Sequence, residues 1–209
     1  IGYEAFRDDS LLINVHFGSG LTKIGESAFS NCRKLDSVYL HAGVVEVAQY
    51  AFYFCEGLRT ITVAEENPSY LSIDGVVFDK DTTTLLKYPS AKPLTQYTVP
   101  STVDTIAVRA FEDNVYLKSI IIPSNVKRVG RNAFWMSKRL EEVSLPESIT
   151  TIEPYTFNDC EALKTFTIPA SITKIEEHAF ASCYYLTRVT LKSATPPTLR
   201  NIPFYFCHR

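Results

Sequence analysis

The stretch that decides the fold is LEEVSLPESITTIEPYTFNDC, residues 140–160. The same pattern returns 23 residues later as LKTFTIPASITKIEEHAFASC, residues 163–183, and begins 23 residues earlier as LKSIIIPSNVKRVGRNAF, residues 117–134. Apolar residues hold the same places in each copy, whereas the polar residues between them vary. A unit of this size cannot bury its own apolar side chains, so stacked copies must bury them in a shared core.

Seven copies of this pattern cover almost all of the 209 residues. The Phe residues that mark the copies are Phe6, Phe29, Phe52, Phe111, Phe134, Phe157 and Phe180. A Leu follows each Phe after six residues, and apolar residues follow after nine and eleven. This alternation predicts a short β-strand with one face turned inward, ended by Pro in several copies. The apolar spacing of four to five residues before each Phe predicts a single helical or 3-10 turn.

These repeats resemble the BspA-like leucine-rich repeats, a 23-residue class found on surface proteins of host-associated bacteria and of some protists. The resemblance implies a leucine-rich-repeat solenoid, with short stacked β-strands on one face and single helical or 3-10 turns and loops on the other. We expect one solenoid domain over residues 1–209, with eight strands in one sheet about 38 Å long. Since solenoids need polar end caps and none is evident here, we expect a fragment of a longer chain.

One copy carries an insertion. The step from Phe52 to Phe111 is 59 residues rather than 23, an excess of 36. Two β-rich runs, residues 70–78 and 83–89, flank a polar turn at residues 79–82, and Asp74-Gly75 forms a second tight turn. We therefore predict a β-hairpin or small β-meander insertion at about residues 64–96, packed on the solenoid.

All five cysteines occupy one slot of the pattern, three residues after a Phe. They are Cys32, Cys55, Cys160, Cys183 and Cys207. Repeat phase predicts a ladder of small, buried, inert thiols. The alternative is disulfides between adjacent turns, since turns about 4.8 Å apart bring the Cα atoms within range. Parallel side-chain vectors at equivalent positions would make the dihedral of such a bond poor.

The remaining composition excludes several function classes. A formal net charge of −2 argues against nucleic acid as the main partner. The chain lacks the run of about 18 apolar residues needed for a membrane span. It also lacks catalytic motifs, metal-ligand spacings and glycine-rich phosphate loops, so we expect no enzyme activity, catalytic residue, metal or cofactor. The four histidines are expected to be surface residues: His16, His41, His178 and His208.

Two sets of surface residues are candidates for binding. Between the inward residues of each strand lies an outward slot that we expect to form a binding face. The outward slot holds His16, Tyr39, Thr62, Thr98, Ile121, Ser144, Thr167 and Thr190. The second set is the densest cationic cluster, expected to steer acidic ligands. The cationic patch comprises Lys127, Arg128, Arg131, Lys138 and Arg139.

The function expected from these observations is binding without catalysis. The resemblance implies a protein–protein or cell-surface adhesion module of a secreted or surface-anchored bacterial protein. Its partner would be a host or cell-surface protein, with a glycan as the other ligand class, and its signal and anchor would lie outside this sequence. The alternative is a rigid structural spacer that displays another domain and has no ligand of its own.

Overall fold

The computed structural model describes residues 1–207, so His208 lies outside the described residues. The chain divides into two compact units. Unit 1 comprises Ile1–Thr82 and Leu86–Lys92, and unit 2 comprises Thr83–Leu85 and Pro93–Arg209. Each unit is a β-solenoid in which parallel strands from successive copies lie side by side, as the repeat predicts. The expectation of a single domain over residues 1–209 stays a prediction.

Unit 1 contains two rows of parallel strands and one hairpin. Its strands are β1 (Lys23–Ile24), β2 (Ser37–Leu40), β3 (Glu46–Val47), β4 (Thr60–Val63), β5 (Tyr70–Ile73) and β6 (Val76–Asp79). The longer strands β2 and β4 pair in parallel and form the outer row, which carries the outward slot. The two-residue strands β1 and β3 pair in parallel and form the short row. Strands β5 and β6 form the antiparallel hairpin of the insertion.

Unit 2 repeats this arrangement over more turns. Its strands are the start of β7 (Thr84–Lys87), then β8 (Gln96–Thr98), β9 (Thr105–Ile106), β10 (Ser119–Ile121), β11 (Arg128–Val129), β12 (Glu142–Ser144), β13 (Thr151–Ile152), β14 (Thr165–Ile168), β15 (Lys174–Ile175), β16 (Arg188–Leu191) and β17 (Thr198–Leu199). The outer row consists of the sheets β8–β10–β12 and β14–β16. The short row is built from β7–β9–β11 and β13–β15–β17.

The expectation of one continuous eight-strand sheet is wrong. In unit 1 only β2 and β4 form the outer row, with a single bridge from Asn14 to Ser37. The free edge of β4 is taken by the hairpin, because the Ile61 N–H donates to the Gly75 carbonyl at 3.0 Å. In unit 2 the outer row is itself divided, because the parallel ladder is not continued from β12 to β14. Each candidate binding face is therefore shorter than the repeat count suggests.

The segment around each Phe is not helical. No helical segment occurs among residues 1–207, so the predicted single helical or 3-10 turns are not confirmed, and no helix there could span a membrane. In every copy the residues two before and two after the Phe have positive φ, as at Asn132 (57°) and Met136 (58°) around Phe134. Two left-handed residues so close together interrupt the right-handed helical path.

Backbone bonds between turns replace the helix. The Phe134 N–H donates to the Thr156 carbonyl of the following turn at 2.9 Å, and the Met136 N–H donates to Asn158 at 2.9 Å. Equivalent bonds recur in both units; in unit 1 the Phe29 N–H donates to the Ala51 carbonyl at 2.8 Å. The left-handed residues thus direct alternate N–H groups toward the following copy, which supplies the acceptors.

The core of each unit is a column of repeat residues. In unit 2 the rings of Phe111, Phe134 and Phe157 stack with centroids 5.1 and 5.3 Å apart and are fully buried. In unit 1 Phe29 stacks on Phe6 at 5.1 Å and on Phe52 at 5.6 Å. The Leu six residues after each Phe packs into the same core, as Leu35 and other fully buried copies show. Burial of these large side chains supplies the main stabilisation of the stack.

Candidate binding faces

The outward slot of the outer row is exposed at all eight predicted positions. Along β2 the exposed Tyr39 alternates with Val38 and Leu40, which are both buried. The same alternation in β10 exposes Ile121 between the buried Ile120 and Ile122. Strand geometry produces this pattern because successive side chains point to opposite faces. The slot therefore faces solvent along β2 and β4 in unit 1 and along both parts of the divided outer row in unit 2.

Tyr39 is the centre of the face in unit 1. Its side chain is 54% exposed and lies directly opposite Thr62 in the parallel register of β2 and β4. Directly before the two strands begin, Arg59 Nε lies 3.5 Å from Asp36 Oδ1, so these two charges offset each other at that end of the face. His16 holds the equivalent slot one copy earlier and is exposed. An aromatic ring with hydroxyl, imidazole and paired charges around it is a mixed surface typical of recognition sites.

Ile121 is the centre of the face in unit 2. It is 51% exposed and lies between Thr98 of β8 and Ser144 of β12 in the parallel register. At the edge of this face Lys118 Nζ pairs with Glu141 Oε1 at 2.9 Å. The result is one aliphatic side chain between two small hydroxyl side chains. Thr167 and Thr190 continue the slot as an exposed pair on β14 and β16.

The predicted cationic patch is partly neutralised. Lys127 Nζ lies 3.6 Å from Asp104, and Lys138 Nζ lies 2.9 Å from Glu161, whose hydrogen bond also raises the pKa of Lys138. Arg131 stacks over the ring of Tyr155, with its Cζ 5.3 Å from the ring centroid. Arg128 and Arg139 are exposed, and the described residues give neither side chain an ion-pair partner. Three of the five cations are thus already engaged within unit 2.

The cysteine slot forms a ladder of thiols, and all five cysteines are free. The Cys55 Sγ–H donates to the Phe29 carbonyl of the preceding turn at 3.1 Å, and Cys160 donates to Phe134 at 3.2 Å. In one copy a serine takes over this role, as the Ser137 hydroxyl donates to the Phe111 carbonyl at 2.7 Å. In every copy that holds Cys or Ser, the slot therefore pairs a carbonyl of the preceding turn. That role explains its small polar residues without any chemistry.

Burial keeps these thiols protonated. It raises the pKa of the Cys32 thiol to about 11 and raises the pKa values of Cys160 and Cys183 as well. The thiolate is the reactive form of cysteine, and a raised pKa leaves very little thiolate at neutral pH. The ladder is consequently a structural feature rather than a nucleophilic site, as repeat phase predicts.

We expect the Cys32 thiol to make folding sensitive to alkali. Its folded pKa of about 11 exceeds the ordinary value of 9.0, so its stabilising contribution is complete below pH 9 and is lost as the pH rises toward 11. Two pKa units correspond to roughly 2–3 kcal/mol. Urea unfolding of the wild type and of Cys32→Ser between pH 7 and 11 measures the loss. A difference between the two proteins that does not change with pH would contradict this expectation.

A second ladder of side-chain hydrogen bonds was not predicted from the sequence. Two residues after the repeat Pro, a polar side chain donates to a carbonyl of the preceding turn. Asn125 Nδ2 donates to the Val103 carbonyl at 2.6 Å, and the Ser171 hydroxyl donates to Ile149 at 2.7 Å. In the sequence, the only trace of this ladder is a Ser or Asn two residues after Pro123, Pro146 and Pro169, directly before a Val or Ile. Its role as a hydrogen-bond donor depends on a carbonyl 22 residues away, which the local sequence pattern does not predict.

Unit 2 also holds an apolar cavity of about 290 Å³ that is lined in part by residues of β14, β15, β16 and β17. Its walls include Ile168, Val189, Leu191 and Phe204. Ile168 is buried, whereas Leu191 in the equivalent slot of the next copy is 45% exposed. The named walls are all apolar, and small-molecule sites normally add a few polar groups that fix the orientation of the ligand. The cavity is therefore an incompletely covered part of the core and not a candidate ligand site.

The family comparison matches the repeat. A model of the BspA type leucine rich repeat region matches residues 1–91 and 87–209 with six copies. These two ranges together span the whole chain. The repeat class expected from the sequence is thus the class that matches. No curated protein sequence matches the chain.

Several solved structures share the fold. The pneumococcal vaccine antigen PcpA superimposes with a TM-score of 0.81 at 27% identity, over 95% of this chain and 56% of that one. A leucine-rich repeat protein from Eubacterium ventriosum gives 0.79 at 26% identity, over 98% and 67%. A leucine rich cell surface protein from Faecalibacterium prausnitzii gives 0.79 at 25% identity, over 92% and 63%. The chain spans little more than half the length of the pneumococcal antigen.

Proposed function

Because the chain belongs to the BspA-type leucine-rich repeat family, we propose that it is a binding module that contacts another protein through its outer strand row. The repeat fold is in general a non-enzymatic scaffold for binding. Function in such a scaffold depends on the variable positions of a regular surface. The variable outward slot of the outer row is the surface that best fits this role.

One observation carries the proposal. Among the strands of the outer row, Tyr39 and Ile121 are the two most exposed large hydrophobic side chains, at 54% and 51%. Both occupy the same slot of the repeat, ten residues after their Phe, although they lie in different units. The other six positions of this slot hold His, Thr or Ser, so exposure alone does not account for two large apolar side chains there. Large apolar side chains surrounded by small polar ones are the residues that dominate protein interfaces.

The two anchors favour a protein as partner. Ile121 has no ring on which a sugar could stack, and its neighbours Thr98 and Ser144 offer single hydroxyl groups. An aliphatic anchor with a hydroxyl rim suits an apolar side chain of another polypeptide. A glycan remains the alternative partner for unit 1, where Tyr39 supplies an aromatic face.

We assign the module to a secreted or surface-anchored bacterial protein that adheres to a host or cell-surface protein. The family and two structural relatives support this assignment. One relative is a vaccine antigen of pneumococcus, and another is a cell surface protein of Faecalibacterium prausnitzii. We thus propose adhesion from the family resemblance and the contact surface from the exposed side chains of this chain.

The second candidate function is a rigid spacer without a ligand of its own. It is favoured by the unbroken ring stack of unit 2, in which Phe157 stacks on Phe180 at 5.2 Å and Phe180 on Phe204 at 5.1 Å. A close-packed column of this kind resists bending. The spacer makes no use of the exposed slot, so substitutions there separate the two functions.

We expect Ile121→Asp to weaken binding to the protein partner at least tenfold, because a carboxylate replaces the apolar anchor at the centre of the face. The immobilised chain is tested against a panel of extracellular-matrix proteins and a glycan array. Val108→Asp is the matched control, since Val108 is an exposed aliphatic residue of unit 2 outside the outer row. Tyr39→Ser and the control Val45→Ser form the corresponding pair in unit 1.

Equal binding by the variant and wild-type chains would remove the outer row as the contact surface. Uniform absence of binding across the panel would favour the spacer. Binding to glycans alone, lost in Tyr39→Ser and kept in Ile121→Asp, would assign the ligand to the alternative class.

A further inference from the structure

The insertion takes the place of a missing turn in unit 1. In a regular solenoid the N–H and C=O groups of each turn are paired by the next copy 23 residues later, as between β10 and β12 in unit 2. After β4, however, the chain enters the insertion instead of another copy. Any buried backbone group left unpaired there would cost free energy, so a substitute for the next turn is needed.

The hairpin supplies that substitute along the outer row. The Ile61 N–H donates to the Gly75 carbonyl at 3.0 Å, and the Val63 N–H donates to the Ser72 hydroxyl at 3.0 Å. These are the β4 N–H groups that would otherwise donate hydrogen bonds to carbonyl groups of a following strand. Pairing them also removes an open sheet edge, which is a template for aggregation.

Side chains of the insertion also form hydrogen bonds with backbone groups elsewhere in the last turn. Asn67 Nδ2 donates to the carbonyls of His41 at 3.0 Å and Val44 at 2.9 Å. The Tyr70 hydroxyl accepts the Val47 N–H of β3 at 3.1 Å. At its far end, the Ala91 N–H donates to the Leu58 carbonyl at 2.7 Å. Donors and acceptors on three sides of the turn are thus paired by one segment.

The insertion closes the apolar core as well. Val77 of the hairpin is buried within the core cluster of unit 1, and Tyr70 and Leu86 pack against the same cluster. Lys92 Nζ donates to the Asp74 carbonyl and so ties the end of the insertion to the tip of the hairpin. The apolar face that the last turn would expose is covered from within the same unit.

We propose that the part of the insertion that belongs to unit 1, residues 64–82 and 86–92, is an internal cap that makes unit 1 a separate cooperative folding unit. Terminal repeats of solenoids need caps because the last turn has no neighbour. Here the cap lies inside the chain, between the third copy and the fourth. Unit 1 accordingly unfolds at its own denaturant concentration, set by the hairpin.

The full chain contains a reporter for each unit. The only tryptophan, Trp135, lies in unit 2, whereas Cys32 and Cys55 are buried in unit 1. Tryptophan fluorescence in urea follows unit 2. Pulsed alkylation of the thiols, read by mass spectrometry of Cys32 and Cys55 peptides, follows unit 1 in the same samples.

The testing variant is Gly75→Ala. Gly75 has φ of +79°, where an alanine is strained, and a Cβ there would overlap the Thr60 hydroxyl and lie 3.1 Å from the Thr60 Cβ, so the substitution weakens the packing of the hairpin on β4. We expect the labelling midpoint of Cys32 and Cys55 to fall by about 1 M urea and the Trp135 midpoint to stay unchanged. Gly20→Ala is the control, because a Cβ at Gly20 meets no atom within 4 Å.

Two results would overturn the proposal. If both midpoints fall together, the chain is one cooperative unit and the hairpin caps nothing separately. If neither falls, the hairpin does not stabilise unit 1. Should Gly75→Ala fail to fold, Ser72→Ala removes only the acceptor of the Val63 N–H, and the same two readings decide with a smaller shift.

Discussion

Replacing Phe134 by Ala is expected to lower the free energy of unfolding of unit 2 by about 3–5 kcal/mol. Phe134 is fully buried between Phe111 and Phe157, so its removal leaves a cavity in the middle of the ring column. The neighbouring rings are held in place by the turns on either side, which limits how far the site can collapse. Urea unfolding followed by alkylation of Cys160 and Cys183 measures the loss within the same unit.

The control is Phe206→Ala, in which a Phe of the same unit is removed from a position that is 56% exposed. We expect a much smaller loss there, because little apolar surface leaves the core. Equal losses from the two substitutions would show that the ring column does not stabilise the stack. A loss below about 1 kcal/mol at Phe134 would show that the neighbouring turns close the cavity.

Replacing Asn67 by Ala is expected to destabilise unit 1 by about 3 kcal/mol or more, because four backbone groups lose their partner at once. Asn67 is fully buried; its Nδ2 donates to two carbonyls. Its Oδ1 accepts the N–H groups of Ser69 and Tyr70, each at 2.9 Å. Alanine can replace none of these bonds, and water has little access to the site. The labelling midpoint of Cys32 and Cys55 in urea gives the measurement.

Asn14→Ala is the matched control for this substitution. Asn14 lies in the same unit but is exposed, and its one side-chain bond, accepted from the Ser37 hydroxyl, is 3.5 Å long. Its loss should change stability by less than about 0.5 kcal/mol. A comparable loss at both positions would mean that the bonds of Asn67 contribute no more than an exposed amide.

The buried and exposed slots could be predicted from the sequence, and the reason is visible in particular residues. Phe134 and Leu140 recur in phase, and a residue that recurs in every copy of a stack meets its own equivalents in the turns above and below. Tyr39 and Ile121 stand in a slot that alternation turns outward. The burial of the cysteine slot could likewise be predicted, since the repeat places Cys160 at the same position as the other buried thiols.

The role of Asn67 could not be predicted in this way. Asn-Pro-Ser at residues 67–69 looks like an ordinary loop in the sequence. Its amide stabilises unit 1 only because the turn containing His41 and Val44 lies beside it and supplies two carbonyl acceptors. The end of the outer row at β4 was equally hard to predict, since it depends on which strand edge the hairpin occupies. Partners of this kind are set by packing across some 23 to 26 residues of chain.

The sequence by itself therefore determined the repeat, its period, the residues that enter the core and those that face solvent, because periodic burial depends only on spacing. The tertiary structure alone decided the left-handed turns around each Phe, the division of the outer row and the closing of unit 1 by the insertion. These features depend on where backbone N–H and C=O groups find partners in the next turn. A helical turn would have paired such groups locally, whereas stacking gave them partners one turn away.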